Sequence, residues 1–307
     1  MSNPCVNFSH FIVNYTIKIS PNISRPFIKI FFSLFIYSGF ACSPAIVMLD
    51  YKPEWAKSGY KYFVDRSEQN IKKDPDDPMK LLDGCESITK YAFGFIMEEA
   101  DRISMNNYSE SKTLYYDANN YFERAVKYCD RSLQVQYIDY INWLKGQNEE
   151  VQLFNEKDIP YLYWTAAGYA GAILSSRGNP TWVIQLPKVG RLLESALSLN
   201  PDWNNGALYN AMISYTMTRH DPPPNKVEVA EEYFKKAIEA SNGLDLGPYV
   251  TMAESVCITE QDKNNFTNLL YQALSIDING DPDLRLTNYI NQNRAQWLLD
   301  NINEFFY

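Results

Sequence analysis

Along most of the chain, apolar positions recur at steps of three and four. Val189, Leu192, Leu193, Ala196 and Leu197 fall at i, i+3, i+4, i+7 and i+8, which is one face of an α-helix. The same spacing returns at Ala118, Tyr121, Phe122, Ala125 and Val126. It recurs at Ala230, Tyr233, Phe234, Ala237 and Ile238, and at Phe266, Leu269, Leu270, Ala273 and Leu274. Pro187 suits the first turn of the helix that Asn200-Pro201 ends. Asn225 is placed to cap the next helix and Asn242-Gly243 to stop it. Leu284 to Tyr307 reads as one long final helix. No sustained alternation of period two marks a strand.

A finer pattern lies under this periodicity. An apolar residue, a large residue four later and Ala three after that recur at 118/122/125, 189/193/196, 230/234/237 and 266/270/273. Ala196 with Pro201 resembles the second helix of a tetratricopeptide repeat. Tyr161-x-x-Trp164-x-x-Ala167-Gly168 has the first-helix spacing, and Leu208-Tyr209-Asn210-Ala211 and Tyr249-x-x-Met252-Ala253 are weaker versions. Small residues let paired helices approach, and large ones fill the groove between them. The expected fold is all-α. It is a helical-hairpin solenoid of about four degenerate tetratricopeptide-like repeats over residues 55–307, with extra helices at both ends.

The N-terminus reads as an address. Lys18, Arg25 and Lys29 precede the apolar run Ile30–Ser38, and Gly39-Phe40-Ala41-Cys42 comes next. The run is short of the roughly 20 apolar residues that span a bilayer. Small residues at −3 and −1 before a cysteine are the pattern cleaved ahead of an acylated Cys. Residues 1–41 are therefore expected to be a lipoprotein signal peptide, Cys42 the lipidation site and residues 42–54 a lipidated linker. The expected location is the periplasm, anchored by lipid to a bacterial membrane.

Composition narrows the chemistry. The 307 residues carry a net charge of −9. Loss of residues 1–41, with three positive charges and no carboxylate, takes it to −12. So acidic a chain does not suit nucleic acid. No nucleotide-binding, nucleophile-elbow or zinc-protease motif occurs, and no catalytic residue, cofactor or metal site is expected. His220 sits in a proline-rich loop. Asp277-x-Asn279-x-Asp281-x-Asp283 begins like a calcium loop, but Pro282 and Asn288 stand where that loop needs Gly and Glu; an interhelical turn is the expected reading. Glu98, Glu99 and Asp101 are read as a solvated or ion-paired helix face. Cys85, Cys129 and Cys257 form no metal-binding spacing. Buried free thiols are favoured over a Cys85–Cys129 disulfide, which an exported compartment permits. Aromatic residues make up 15% of the chain, including 23 Tyr. Those of the first helices of the hairpins belong either to the core or to a ligand or partner surface. Tyr91, Phe95, Tyr161, Trp164, Tyr169 and Tyr249 are the candidates for the second role.

Several stretches together resemble one family. They are Tyr91-Ala92-Phe93-Gly94-Phe95 with Glu99-Ala100-Asp101-Arg102, Tyr163–Ala167 with Gly171-Ala172-Ile173, and Leu193–Pro201 leading into Gly206-Ala207-Leu208. Gly247–Thr251 with Ala253–Val256, Gln261-Asp262 and Arg294-Ala295-x-Trp297-Leu298-Leu299 complete the set. In order and number they resemble the T component of the tripartite ATP-independent periplasmic (TRAP) transporters over about residues 55–307. The resemblance implies an accessory, non-enzymatic lipoprotein that binds the solute-binding (P) component and helps deliver a small organic ligand, apolar or carboxylate-bearing. The alternatives are a general periplasmic scaffold for envelope assembly and a stand-alone carrier of a hydrophobic ligand. Homo-oligomerisation is left open.

Overall fold

The computed structural model describes residues 53–147 and 154–307. The signal segment, Cys42 and nearly all of the linker lie outside the described residues. Every regular element described is helical. No helix among the described residues is long and apolar enough to cross a membrane.

The helices are α1 (Pro53–Lys73), α2 (Pro78–Tyr91), α3 (Glu98–Ile103), α4 (Tyr108–Gln134), α5 (Tyr140–Leu144), α6 (Ile159–Ser175), α7 (Pro180–Val183), α8 (Leu186–Leu199) and α9 (Trp203–Thr218). They continue with α10 (Lys226–Ala240), α11 (Gly247–Met252), α12 (Ile258–Glu260), α13 (Lys263–Ser275) and α14 (Arg285–Asp300). A π-helical turn, Ala92–Met97, joins α2 to α3, and a second, Ala253–Cys257, joins α11 to α12. Helices pair in chain order: α2 with α4, α6 with α8, α9 with α10, and α11 with α13. Helix α1 packs on α2 at one end and α14 on α13 at the other.

Local chemistry sets the boundaries. Asp77 caps α2, its carboxylate accepting from the backbone N of Met79 at 2.9 Å and of Lys80 at 3.1 Å, and Pro78 occupies the first turn. Pro187 lies in the first turn of α8 and Asn200 ends it. Asn242 (φ 52°) and Gly243 (φ 73°) turn the chain left-handed after α10. Two expectations need correction. Asn225 stands before α10, but its side chain makes no capping bond. The final helix stops at Asp300 instead of reaching Tyr307. Residues Ile302–Glu304 form a tighter turn, which lets Phe305 and Phe306 fold back beside Phe266.

The periodic faces are the faces that become buried. Ala118, Phe122, Ala125, Leu192, Ala196, Ala230, Ala237, Phe266, Leu270 and Ala273 are each fully buried. Three apolar clusters result. The first joins Val64, Ile88, Tyr91, Phe122 and Ala172. The middle one joins Val126, Leu162, Tyr169, Leu192 and Leu208. The last joins Ile213, Val250, Phe266, Ala295 and Leu298. Helices α4 and α6 serve both the first and the middle cluster, and α9 serves both the middle and the last.

Close approach depends on small residues. A Cβ built on Gly171 would lie 2.1 to 2.5 Å from ring atoms of Phe122, which is fully buried and has no room to yield. At Gly168, one turn earlier, the nearest atoms are Val126 Cγ2 at 3.5 Å and Cys129 Sγ at 3.6 Å, which is ordinary contact.

Cys85 and Cys129 are bonded, with their Cα atoms 5.3 Å apart, and Cys257 is a buried free thiol. The favoured reading of free thiols at 85 and 129 is therefore corrected. Pairing α2 with α4 brings the two Cα atoms to disulfide separation, and sequence spacing does not reveal that. Closing this 44-residue separation constrains the unfolded chain by on the order of 3–4 kcal/mol in the chain-entropy account.

The two glycines of α6 should respond in opposite directions. Gly168→Ala should gain up to about 1 kcal/mol from reduced backbone entropy in the unfolded chain. Gly171→Ala should lose about 2 kcal/mol or more through overpacking against Phe122. Thermal unfolding of the two variants checks this; equal shifts of the same sign would contradict the packing described.

Candidate functional site

The six aromatic candidates do not form one site. Tyr91 is buried in the first cluster, its ring 5.2 Å from that of Tyr121 and 5.9 Å from that of half-buried Phe95. Phe95 also meets Tyr60 at 5.1 Å. Tyr161 packs at the edge of the middle cluster. Trp164 faces Tyr163 at 5.1 Å, with the Lys90 ammonium 5.0 Å from its ring centre. Tyr249 stands edge-on to Phe234 at 5.2 Å in the last cluster.

Tyr169 belongs to a polar centre inside the middle cluster. Asp130 accepts hydrogen bonds from the hydroxyls of Tyr140 and Tyr169, each at 2.7 Å, and Lys188 Nζ lies 3.3 Å from the Tyr169 hydroxyl. Burial raises the Asp130 pKa above the ordinary carboxylate range, while the two tyrosine donors and Lys188 pull the other way. Both tyrosine pKa values are raised, first by burial and then by the neighbouring carboxylate. The arrangement fixes α4, α5, α6 and α8 relative to one another.

The densest charged constellation lies where α3, α14 and the second π-helical turn meet. Arg294 of α14 donates to Glu254 Oε1 through Nε at 3.1 Å and Nη2 at 2.6 Å. Its Nη1 lies 3.0 Å from Asp101 Oδ2 and 3.6 Å from Glu98 Oε1. That atom is buried and makes these charge contacts without a directional hydrogen bond. Arg102 Nε donates to Glu98 Oε2 at 3.1 Å, and its Nη2 donates to the carbonyl of Asn293 at 3.3 Å. Tyr115 donates its hydroxyl to Asp101. The guanidinium of Arg294 stands 4.6 Å from the centre of the Trp297 ring. The Arg294 side chain is 16% exposed and that of Glu98 is 19% exposed.

Electrostatics are set by this crowding. Burial works against the Arg294 charge, yet Glu254, Glu98 and Asp101 outweigh it and hold its pKa above the ordinary arginine value. Glu98 is the strained member. Burial, then the charges of Asp101 and Glu254, raise its pKa despite the opposing pull of Arg294 and Arg102. The sequence placed Glu98, Glu99, Asp101 and Arg102 on one helix face and Arg294 near Trp297, but it did not join them. An arginine within the periodic apolar pattern of the last helix was the signal that could have marked the site.

Other marked residues take structural places. His220 is exposed, with Nδ1 3.7 Å from Asp221. In the turn before α14, Asp277 Oδ1 accepts from the backbone N of Asn279 and Asp281 Oδ1 from that of Asp283, each at 2.9 Å. Among the described residues no group of three or more His, Cys, Asp or Glu side chains is placed to hold a metal ion.

A family described as TRAP transporter T-component matches residues 67–306 of the chain. An uncharacterized protein of Treponema pallidum (strain Nichols) is 23% identical over 221 residues, covering 70% of this chain and 68% of that protein. The matched stretch contains every helix from α2 to α14 and both π-helical turns.

The raised Glu98 pKa fixes a sign for pH dependence. A carboxyl whose folded pKa lies above its unfolded one favours the folded state most when protonated. Its contribution is present in acid and is lost as pH rises through the folded value. Glu98→Gln, which imitates the protonated form, should leave stability at pH 7 unchanged or higher. It should also flatten the pH dependence above the ordinary glutamate value of 4.5. Urea unfolding at several pH values tests this; a variant that is less stable at pH 7 and keeps the full pH dependence would contradict the assignment.

Proposed function

Because the chain belongs to the TRAP transporter T-component family, we propose that it is the accessory component that docks the solute-binding (P) protein of a TRAP importer and passes a small ligand toward the permease. The observation that carries this reading is the family match over residues 67–306, which embraces nearly the whole helical array. An array of paired helices presents extended surfaces suited to binding another protein. Acyl chains on Cys42 would hold the complex at a membrane, and two or more chains make such anchoring stable.

Of the two ligand chemistries, an apolar one fits the charge distribution better. The buried guanidinium that a carboxylate would seek, Arg294, is already matched by Glu98, Asp101 and Glu254. A further anion there would meet three carboxylates. The role needs no reaction of this protein's own.

Two experiments address the reading. A Cys42→Ala variant should move from the membrane to the soluble periplasmic fraction; if it stayed membrane-bound without detergent, the lipid anchor would be excluded. The same full-length variant, used as bait in periplasmic extract, should capture a TRAP-type solute-binding protein identifiable by mass spectrometry. Recovery of envelope-assembly proteins instead would favour a general scaffold.

A further inference from the structure

Helix α14 is held to the rest of the fold by two different kinds of contact. Toward α11 and α13 it is apolar: Ala295 and Leu298 are buried with Val250, Phe266 and Leu270. Toward α3 and the first π-helical turn it is mainly polar. Ile290 lies against Gly94, where a Cβ would be 3.6 Å from Ile290 Cδ1. Beside it stand Arg102 on the Asn293 carbonyl and Arg294 on Glu98 and Asp101. Among the described residues, none from α2 or α3 belongs to the apolar cluster around α11, α13 and α14. Apolar packing links the two regions by the long route, through α4, α6, α8 and α9. The direct contact is a closing contact made chiefly of charge.

Both carboxylate sides of that contact stand on π-helical turns. Ala92–Met97 runs directly into Glu98, and Glu254 lies within Ala253–Cys257. A π turn holds an extra residue relative to an α turn. Returning one to α geometry rotates the downstream helix by about 100°, one residue's worth of helix. That rotation would carry Glu98, or residues after Glu254, away from the guanidinium. The contact thus has a local means of coming apart, at turns whose own Ala92, Ile96, Ala253, Val256 and Cys257 are buried in the first and last apolar clusters.

We propose that the Arg294 cluster is a releasable clasp, which closes the last helix onto the first hairpin and opens while the rest of the array stays folded. The groups that face one another in it are Glu98, Asp101 and Arg102 on α3, Tyr115 on α4 with its hydroxyl on Asp101, Glu254 on the second π-helical turn and Arg294 on α14. Three carboxylates against two guanidinium groups leave one excess negative charge. Protonation of Glu98 removes it, so a fall in pH through the folded Glu98 value tightens the clasp. The clasp gives the array a two-state element of the hinge type. It concerns the fold of this chain alone and stands whether or not the partner is a transporter component.

Hydrogen exchange monitored by mass spectrometry on the full chain tests it, with Arg294→Gln and the charge-keeping Arg294→Lys beside the wild type at pH 7. In Arg294→Gln, amides of residues 92–103 and 285–294 should exchange roughly tenfold faster or more, while the Ala295–Leu298 turn and α4, α6 and α8 keep their protection. Arg294→Lys keeps the charge but loses the fork, and should show a smaller acceleration in the same two segments. Uniformly faster exchange throughout would make Arg294 a general stabiliser and overturn the clasp. Should Arg294→Gln fail to fold, wild-type exchange of both segments in Arg294→Lys would overturn it equally.

Discussion

The ring of Phe122 fills the space that any side chain at position 171 would need, and the fold is organised around that contact. Helices α4 and α6 meet there, and both contribute to the first and middle apolar clusters. If they stood farther apart, Val126 and Tyr169 on one side and Ile88 and Ala172 on the other would lose their shared packing. The Cys85–Cys129 bond pins α2 against α4, with Cys129 Sγ 3.6 Å from where a Cβ on Gly168 would lie, so the helix that carries Phe122 is also covalently braced on its other neighbour. A similar close approach recurs at Gly190, where a Cβ would lie 1.9 Å from the Tyr215 hydroxyl oxygen. Small residue against large ring is the device that sets helix spacing along the array.

This device was legible in the sequence because it is local and periodic. Ala118, Phe122 and Ala125 repeat in kind at Ala230, Phe234 and Ala237, and a helix with that pattern has one face to bury. Stops such as Asn242-Gly243 were legible for the same reason: they act on their own backbone. The last helix misled because its apolar residues continue past Asp300. Phe305 and Phe306 are apolar not to extend the helix but to turn back onto Phe266. Periodicity records that a residue is buried, not which path the chain takes to bury it.

Pairings across the fold were not legible. Glu98 and Arg294 are 196 positions apart, and nothing on α3 names its partner on α14. The cysteines show the same limit. Their chemistry admits a bond or free thiols, and only the α2–α4 pairing decides. The π-helical turns escaped as well, since Ala92–Met97 and Ala253–Cys257 continue the helical pattern by composition. The aromatic candidates fall between these cases. Their types were informative, but Tyr91 and Tyr169 point into different clusters, and Tyr249 into a third.

The two kinds of contact in this chain have different consequences. Apolar packing between successive helices is short-ranged and cumulative, so each pair stabilises the next, and disruption at one seam leaves others standing. The Asp130 centre shows how a buried carboxylate is made tolerable inside such packing: two hydroxyls meet it at 2.7 Å and a lysine stands one group away. The Arg294 cluster is built otherwise. It is shared among three segments, one guanidinium nitrogen makes only charge contacts, and burial, with the charges of Asp101 and Glu254, raises the Glu98 pKa despite two arginines. A structure that needed this contact only for stability would be better served by apolar side chains of similar volume. What charge adds, and packing does not, is a contact that responds to protonation.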